Sequence, residues 1–404
     1  MNEYFYRAIA LMLAVGALSR IQRMERSDQA RSEKFAKLLE FEEKSKKKAS
    51  SQQTVCYYKA ERNVTGRLQP EDIDTSLCTH LIVGYAEVRE DFLLPRTTYD
   101  LDCFNRTSAL KKKNTKMKVM LSIGDKSKGG FSKMVTSSEK RERFIFSLLH
   151  FLDKYNFDGV DFDWEFPAWN GGNKLERFHF VLLLKELRFV LERVKKKFLV
   201  SLAVAAHVGI IDTSYDVPEI AKAVDFVNLM SYDFQMFSKE YPFTAHQSPL
   251  FSRNSERKHN YFNNVAWAAS FWEARGMPRK KIMVGIPMHA RTYHLENPKK
   301  HSLDAPATGP GLGKGKLSFS QVCYFLKHGA KQIFDLSTKV PFAYLGHHWI
   351  AFENEHSVSF KSQWVKEEGY GGIMIFNLNN DDWAGHCDNK TKFSLSRAAT
   401  KMIS

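Results

Sequence analysis

The sequence predicts an α/β fold, a (β/α)8 (TIM) barrel carrying a small α+β insertion subdomain between its seventh and eighth strands. Eight short runs of β-forming residues alternate with amphipathic stretches, which is the pattern of repeated βα units. The fourth run, Phe157–Phe166, sets Asp161, Asp163 and Glu165 two residues apart, so a period of two puts all three acids on one face. The interval between the seventh and eighth runs, about Tyr293 to His356, is far longer than one crossover helix and suits an inserted subdomain forming one wall of a cleft.

Taken in order, residues 1–19 hold the apolar run Ala8–Leu18 behind Arg7. Eleven residues are short of the ~20 that a spanning helix needs. The run fits a signal peptide, with Gly16, Ala17 and Ser19 near a cleavage point, or a short signal-anchor starting at Tyr4. Residues 20–53 are charged, lack Gly and Pro, and show only a patchy apolar stripe at Phe35, Leu38, Leu39 and Phe41. They read as a polar stalk or linker. The barrel is expected over 54–292 and 357–390, and the insertion over 293–356. Its strands are placed at Thr54–Tyr58, His80–Val88, Lys118–Ile123, Gly159–Phe166, Phe198–Val204, Phe226–Tyr232, Ile282–Met288 and Gly372–Asn377. Helices are placed at Lys140–Tyr155, Lys174–Lys197, Glu219–Ala223, Asn263–Arg275 and Phe360–Glu368.

A net charge of +15 invites a nucleic-acid partner, yet the positives are spread along the chain. Their local clusters are Lys46–Lys48, Lys111–Lys113 and Lys195–Lys197, and no nucleic-acid motif accompanies them. The charge reads as a solvated surface suited to acidic polymers or membranes. Five cysteines show no C-x-x-C spacing, and His207 and His289 are lone histidines, so neither a metal nor an organic cofactor is implied. Sequons at Asn63, Asn105 and Asn389, together with the apolar N-terminal run, point to the secretory route and make disulfides permissible.

The acid-bearing strand carries the chemistry. In a (β/α)8 barrel the inward face of a strand is ordinarily Val, Ile or Leu, and reacting groups sit at the carboxyl ends of strands. A solvated edge strand is the plain alternative, but such edges carry mixed charges rather than three acids in register with bulky aromatics. Crowded carboxylates push each other's pKa values apart and leave one protonated near neutral pH, as cleavage of a glycosidic bond requires. Asp158 has the opposite parity and reads as structural, capping the turn at Gly159, while Trp164 points to the helix side.

Asp158, Asp161, Asp163 and Glu165 also match D-x-x-D-x-D-x-E, and the segment resembles the signature of glycoside hydrolase family 18, the chitinases and chitinase-like lectins. The resemblance runs from about Val55 to Cys387 and includes Met230-Ser231-Tyr232-Asp233 and Pro287-Met288-His289-Ala290-Arg291. It implies a catalytic set of Glu165, Asp163, Asp161 and Tyr232, with Glu165 as general acid and base, Asp163 orienting a substrate acetamide and Asp161 sharing a proton with Asp163. It implies substrate contacts at Phe376, Tyr85, Asp233, Arg291 and Met230; Arg291 would face either a cleft carboxylate or solvent. It implies disulfides Cys56–Cys78 and Cys323–Cys387, leaving Cys103 over. The ligands implied are chitin or N-acetylglucosamine oligosaccharides, with no nucleic acid, and the protein is expected to be a monomer of the extracellular space, or anchored through its N-terminus with the barrel outside. The sequence departs from the family at Asp125 (usually Gly), His289 (usually Tyr) and Phe376 (usually Trp). Hydrolysis of β-1,4-linked N-acetylglucosamine polymers and lectin-like binding in the same cleft are therefore both open.

Overall fold

The computed structural model describes residues 52–61, 66–125, 130–253 and 261–403. The expected leader and stalk, and the sequon at Asn63, lie outside the described residues, as does the side chain of Asp125. In chain order the strands are β1 (Gln53–Lys59), β2 (His80–Arg89), β3 (Phe92–Pro95), β4 (Lys118–Asp125), β5 (Gly159–Trp164), β6 (Leu199–Val204), β7 (Phe226–Leu229), β8 (Ile282–Pro287), β9 (His289–Leu295), β10 (Ala307–Pro310), β11 (Lys316–Ser318), β12 (Lys331–Asp335), β13 (Val340–Leu345), β14 (His348–Ala351) and β15 (Gly372–Phe376). The helices are α1 (Thr98–Ala109), α2 (Gly130–Met134), α3 (Ser138–Lys154), α4 (Glu176–Arg193), α5 (Val208–Ser214), α6 (Val217–Ala223), α7 (Val265–Ala274), α8 (Phe319–Lys327), α9 (Glu355–Glu367) and α10 (Ser394–Ile403).

Strands β1, β2, β4, β5, β6, β7, β8 and β15 pair in parallel in that order, and β15 returns to β1, so the barrel closes. The short β3 folds back antiparallel on β2. The barrel strands are buried on both faces, which accounts for their nearly unbroken apolar runs. Inside lie Val55, Ile82, Met120, Phe226, Met283 and Met374. Outside, the helices pack on aromatic side chains: Trp164 stacks on Phe131 at 5.3 Å and meets Phe180 edge-on at 5.4 Å. That is the helix-side position its parity requires.

The second sheet runs β10-β9-β14-β13-β12, with β11 also on β9. Tyr293, Trp349 and Phe342 form its core, Trp349 stacking on Phe342 at 5.2 Å. Its first strand starts at His289, before the expected 293, because the chain continues from β8 with only Met288 between. Two barrel strands stop two or more residues earlier than expected. β5 ends at Trp164, and β7 ends at Leu229, where the Ser231 amide turns back to the Leu229 carbonyl (2.8 Å) and its hydroxyl reaches the Gly285 carbonyl (2.9 Å). The chain also ends in a helix, α10, beyond the expected limit at 390. Leu395, Ala399 and Ile403 recur at every fourth residue on its buried face, and Asp381 accepts the Ser396 amide (2.9 Å) and hydroxyl (2.6 Å) at its start.

Disulfides join Cys56 to Cys78 and Cys323 to Cys387, while Cys103 is a buried free thiol. Their separations of 22 and 64 residues correspond, in the chain-entropy account, to about 3 and 4 kcal/mol of stabilisation. Among the described residues no helix is long and apolar enough to cross a membrane.

A buried ion pair ties α9 to the loop after β7. Lys361 is paired with Glu353 and also donates to the Ser248 carbonyl (2.5 Å) and hydroxyl (2.9 Å), and Ser357 donates to Glu353 at 2.6 Å. Burial pushes the lysine's pKa down and the glutamate's up, and each opposes the shift of the other. Removing one partner leaves a bare charge in a dry site, so Lys361→Met is expected to cost about 3–5 kcal/mol in denaturant unfolding. The double variant Lys361→Met/Glu353→Leu is expected to regain most of that loss, and a double variant as unstable as the single one would contradict the assignment.

Candidate active site

The site is built upward along β5. Asp161 is wholly buried, level with Ser122 of β4 and Ser201 of β6 in the ladder register. Its carboxylate accepts hydrogen bonds from Ser201 (2.7 Å), Tyr57 (2.7 Å), Ser122 (2.9 Å) and Asn228 (3.1 Å). Burial pushes this carboxyl's pKa up, and the four donors oppose the shift. Asp163, two residues on, is nearly buried and is hydrogen-bonded to the Tyr85 hydroxyl. Glu165 lies just past the strand and is half-buried. A rise of ~3.3 Å per residue spaces these carboxylates along the strand by roughly 6–7 Å. Asp161 is thus held by Tyr57, Ser122, Ser201 and Asn228, and Tyr85 is among the partners of Asp163.

Tyrosines surround the acids. Burial, followed by neighbouring acids and phenols, raises the phenol pKa values of Tyr57, Tyr85 and Tyr232 well above the ordinary range. They are therefore hydrogen-bond donors at neutral pH. Asp163 and Glu165 are both within electrostatic reach of Tyr85, Tyr215 and Tyr232. The Tyr232 hydroxyl is buried and has no hydrogen-bond partner among the described residues. Its ring stacks on half-buried Phe376 at 5.2 Å, and Met230 packs beside them. Gly124 gives Tyr85 its place, since a Cβ there would come within 2.8 Å of the Tyr85 ring. Arg96 completes that corner, lying over the same ring at 5.1 Å and donating to the Gly124 carbonyl at 3.1 Å.

The remaining expected residues separate into two groups. Asp233 and Arg291 form a two-pronged ion pair, and the Arg291 Nε–H donates to Asp233 at 2.7 Å. His289 joins the same carboxylate through Nε2 at 2.9 Å and stands edge-on to Tyr232 and Phe376 at 6.0 and 6.3 Å. Burial pushes the Asp233 carboxyl up, but Arg291 and His289 outweigh it and hold it well below the usual range. The open choice for Arg291 thus resolves to a carboxylate at the cleft. Asp158 and Gly159 lie at the opposite, amino-terminal end of β5. Asp158 accepts the Val119 amide at 2.8 Å and pairs with Lys111 at 3.1 Å, so it clips β5 to β4 rather than capping the Gly159 turn. Gly159 itself permits strand contact, because a Cβ would fall 2.3 Å from the Leu199 carbonyl oxygen.

Sequence reasoning missed Tyr57, Ser122, Ser201 and Asn228. Their signal was present: each is a polar or phenolic residue inside an otherwise apolar run, on an inward position of its strand. Tyr215 carried no comparable signal.

The family described as glycosyl hydrolases family 18 matches residues 53–381. Human chitinase-3-like protein 2 is 33% identical over 370 residues, covering 88% of this chain and 93% of the relative. The structure of an immunomodulatory active chitinase from Trichuris suis superposes with a TM-score of 0.82 at 30% identity, covering 87% of this chain and 100% of that one. Human YKL-39, described as a pseudo-chitinase with retained chitooligosaccharide binding properties, superposes with a TM-score of 0.82 at 32% identity, covering 87% and 99%.

His289 gives the site a pH signature. Burial pushes its pKa below the ordinary value and Asp233 opposes this, while Nδ1 is buried without a partner, which favours the neutral ring donating through Nε2. In the unfolded chain the ring takes up a proton near pH 6.5 that the folded ring refuses, so its contribution is fully present above that pH and is lost as pH falls. His289→Gln keeps a donor for Asp233 and removes the titration. Between pH 7 and 5 it is expected to reduce the fall in unfolding free energy. Urea titrations at the two pH values measure this; an unchanged slope would mean that the folded ring is charged.

Proposed function

The chain belongs to glycosyl hydrolases family 18, and from that premise we propose that it is a glycosidase cleaving β-1,4-linked N-acetylglucosamine polymers by a retaining, substrate-assisted route. The observation that carries this reading is half-buried Glu165 above nearly buried Asp163, beside a buried Tyr232 hydroxyl with no protein partner among the described residues. Glu165 protonates the glycosidic oxygen as the bond to the anomeric carbon breaks. The carbonyl oxygen of the sugar's own 2-acetamido group attacks that carbon to form an oxazolinium ion, so no second carboxylate acts as nucleophile. Asp163 accepts a hydrogen bond from the acetamide N–H, and Tyr232 donates one to its carbonyl oxygen. Glu165, now deprotonated, takes a proton from water that opens the ring, and the starting configuration is restored. Phe376 and Met230 supply the apolar floor for a pyranose face. Asp233 and Arg291 act with His289 to hold the loop that carries Tyr232, Arg291 presenting its outer edge to the cleft.

A second reading is a chitin-binding lectin with little or no turnover in the same cleft. Phe376 stands where the family usually has Trp and offers less stacking area and no indole N–H, and His289 stands where the family has Tyr. The similar human protein described as a pseudo-chitinase that retains chitooligosaccharide binding supports this alternative. Under either reading the protein works as an extracellular monomeric glycoprotein, delivered by a cleaved signal peptide or held by an N-terminal anchor. Two disulfides accord with an oxidising compartment.

Glu165→Gln keeps the side chain's shape and removes the transferable proton. Turnover of chitin oligomers is expected to fall by at least ~10²-fold, the low end for general acid catalysis, while calorimetric affinity for the same oligomers stays near wild type. Equal cleavage by both proteins would move the chemistry away from Glu165. Binding without cleavage in either would establish the lectin.

A further inference from the structure

Tyr232 stands on a corner beyond the barrel ladder, because β7 ends at Leu229. Asp233, the next residue, takes a left-handed backbone with a φ of 57°. A side chain disfavours that conformation, so it persists only where the surroundings impose it. Here a later part of the same loop does so. The Gln247 carbonyl accepts the Phe234 amide at 2.9 Å, and the Ser248 hydroxyl donates to the Ser231 carbonyl at 2.8 Å. These two bonds bracket Tyr232 and Asp233. The Gln247 side-chain amide also donates to the His289 carbonyl at 2.5 Å, on the strand whose His289 and Arg291 hold Asp233. Ser231, Gln247 and Ser248 are all buried.

One of these bonds depends on a hydroxyl that can rotate. A serine hydroxyl has a single hydrogen to give, and Lys361 of α9 decides where it goes. The ammonium group has three N–H donors and no acceptor. Its three partners are Glu353, the Ser248 carbonyl (2.5 Å) and the Ser248 hydroxyl oxygen (2.9 Å). With a donor-only group against its oxygen, the Ser248 hydroxyl is left to give its hydrogen to Ser231. A line of buried polar contacts therefore runs from Glu353 through Lys361 and Ser248 to the peptide that precedes Tyr232. Apolar side chains of similar volume would stabilise the fold as well as a buried ion pair does, which leaves direction as what this pair adds.

We propose that Ser248 and Lys361 are positioning residues for Tyr232: by fixing the Ser231–Tyr232 peptide they set the direction in which the tyrosine hydroxyl enters the cleft. The inference rests on the reading of Tyr232 as donor to the carbonyl oxygen of the substrate's acetamide. Both positioning residues are buried and act only through the tyrosine. A hydroxyl aimed in advance loses no time or free energy to reorientation when the acetamide oxygen turns into a nucleophile.

The test uses the full chain. Ser248→Ala removes the hydroxyl and Ser248→Thr keeps one. Thr244→Val is the control: it removes another buried hydroxyl of the same loop, one that donates to the Ser302 carbonyl at 2.8 Å rather than to the corner. On chitin oligomers Ser248→Ala is expected to lower kcat by at least ~10-fold with KM little changed, since misplacing a reacting group by an ångström costs up to ~10²-fold. Ser248→Thr is expected to recover most of that loss, and Thr244→Val to lower the melting temperature while keeping kcat. Added to Tyr232→Phe, Ser248→Ala is expected to lower kcat no further, because the hydroxyl it acts through is gone. Carbon-13 NMR of the tyrosine phenol carbons, with the Tyr232 signal assigned by its loss in Tyr232→Phe, reads position without turnover. That signal is expected to move in Ser248→Ala and in Lys361→Met/Glu353→Leu, and to stay in Thr244→Val. An unmoved signal in the first two, additive losses of kcat, or an equal loss in Thr244→Val would overturn the proposal. Tyr232→Phe cleaving as fast as wild type, or wild type without turnover, would count against the mechanism alone, and the Tyr232 signal would then decide the positioning.

Discussion

A carboxylate buried at the centre of the barrel is the constraint on which the rest of the site depends. Asp161 has no exposed surface, and an isolated charge there would cost several kcal/mol. The cost is met by donors from four strands: Tyr57 of β1, Ser122 of β4, Ser201 of β6 and Asn228 of β7. Strands far apart in sequence are thereby fixed at one level, and the next two inward positions of β5 can carry Asp163 and Glu165 at defined heights. A (β/α)8 barrel ordinarily fills these layers with aliphatic side chains. Polar groups replace them here, each supplying a donor.

Above that layer the cleft changes character from polar to amphipathic. Tyr85 and Tyr232 present hydroxyls toward the acids while their rings rest on guanidinium or apolar surfaces, Arg96 for the first and Phe376 for the second. Such a surface matches a pyranose, which has a C–H face and a polar edge. Asp233, Arg291 and His289 are bound to one another at the side of this surface, so their charges stabilise the cleft wall. Relatives that share this architecture are described in both terms, as an active chitinase and as a pseudo-chitinase that binds chitooligosaccharides, at almost equal identity.

The barrel was legible because period-two acids and eight β-forming runs are local signals, and their spacing is set by the fold's own repeat. The disulfide pairs were legible through the family resemblance. What escaped depends on contacts between strands distant in sequence. Nothing near Ser122 or Asn228 says that a carboxylate will stand between them, although each is a polar residue in an apolar strand. The ends of β5 and β7 were set too late because Glu165, Phe166 and Tyr232 are acceptable in a strand, and only the turn at Ser231 and the exit of the chain into the cleft decide otherwise. Asp158 was misread as a cap because parity says which face a residue takes, not which neighbouring strand lies there. His289 looked isolated until Asp233, fifty-six residues earlier, was folded against it.

Substrate-assisted cleavage has a stereochemical signature that neither a lectin nor a two-carboxylate inverting enzyme shares. The most direct test is proton NMR of the first products released from a chitin oligomer, read before mutarotation equilibrates the anomers. The arrangement of Glu165, Asp163 and Tyr232 predicts β-anomers at the newly formed reducing ends, with a fully deacetylated oligomer of the same length left uncut. Initial α-anomers, cleavage of the deacetylated oligomer, or no product at all would contradict it.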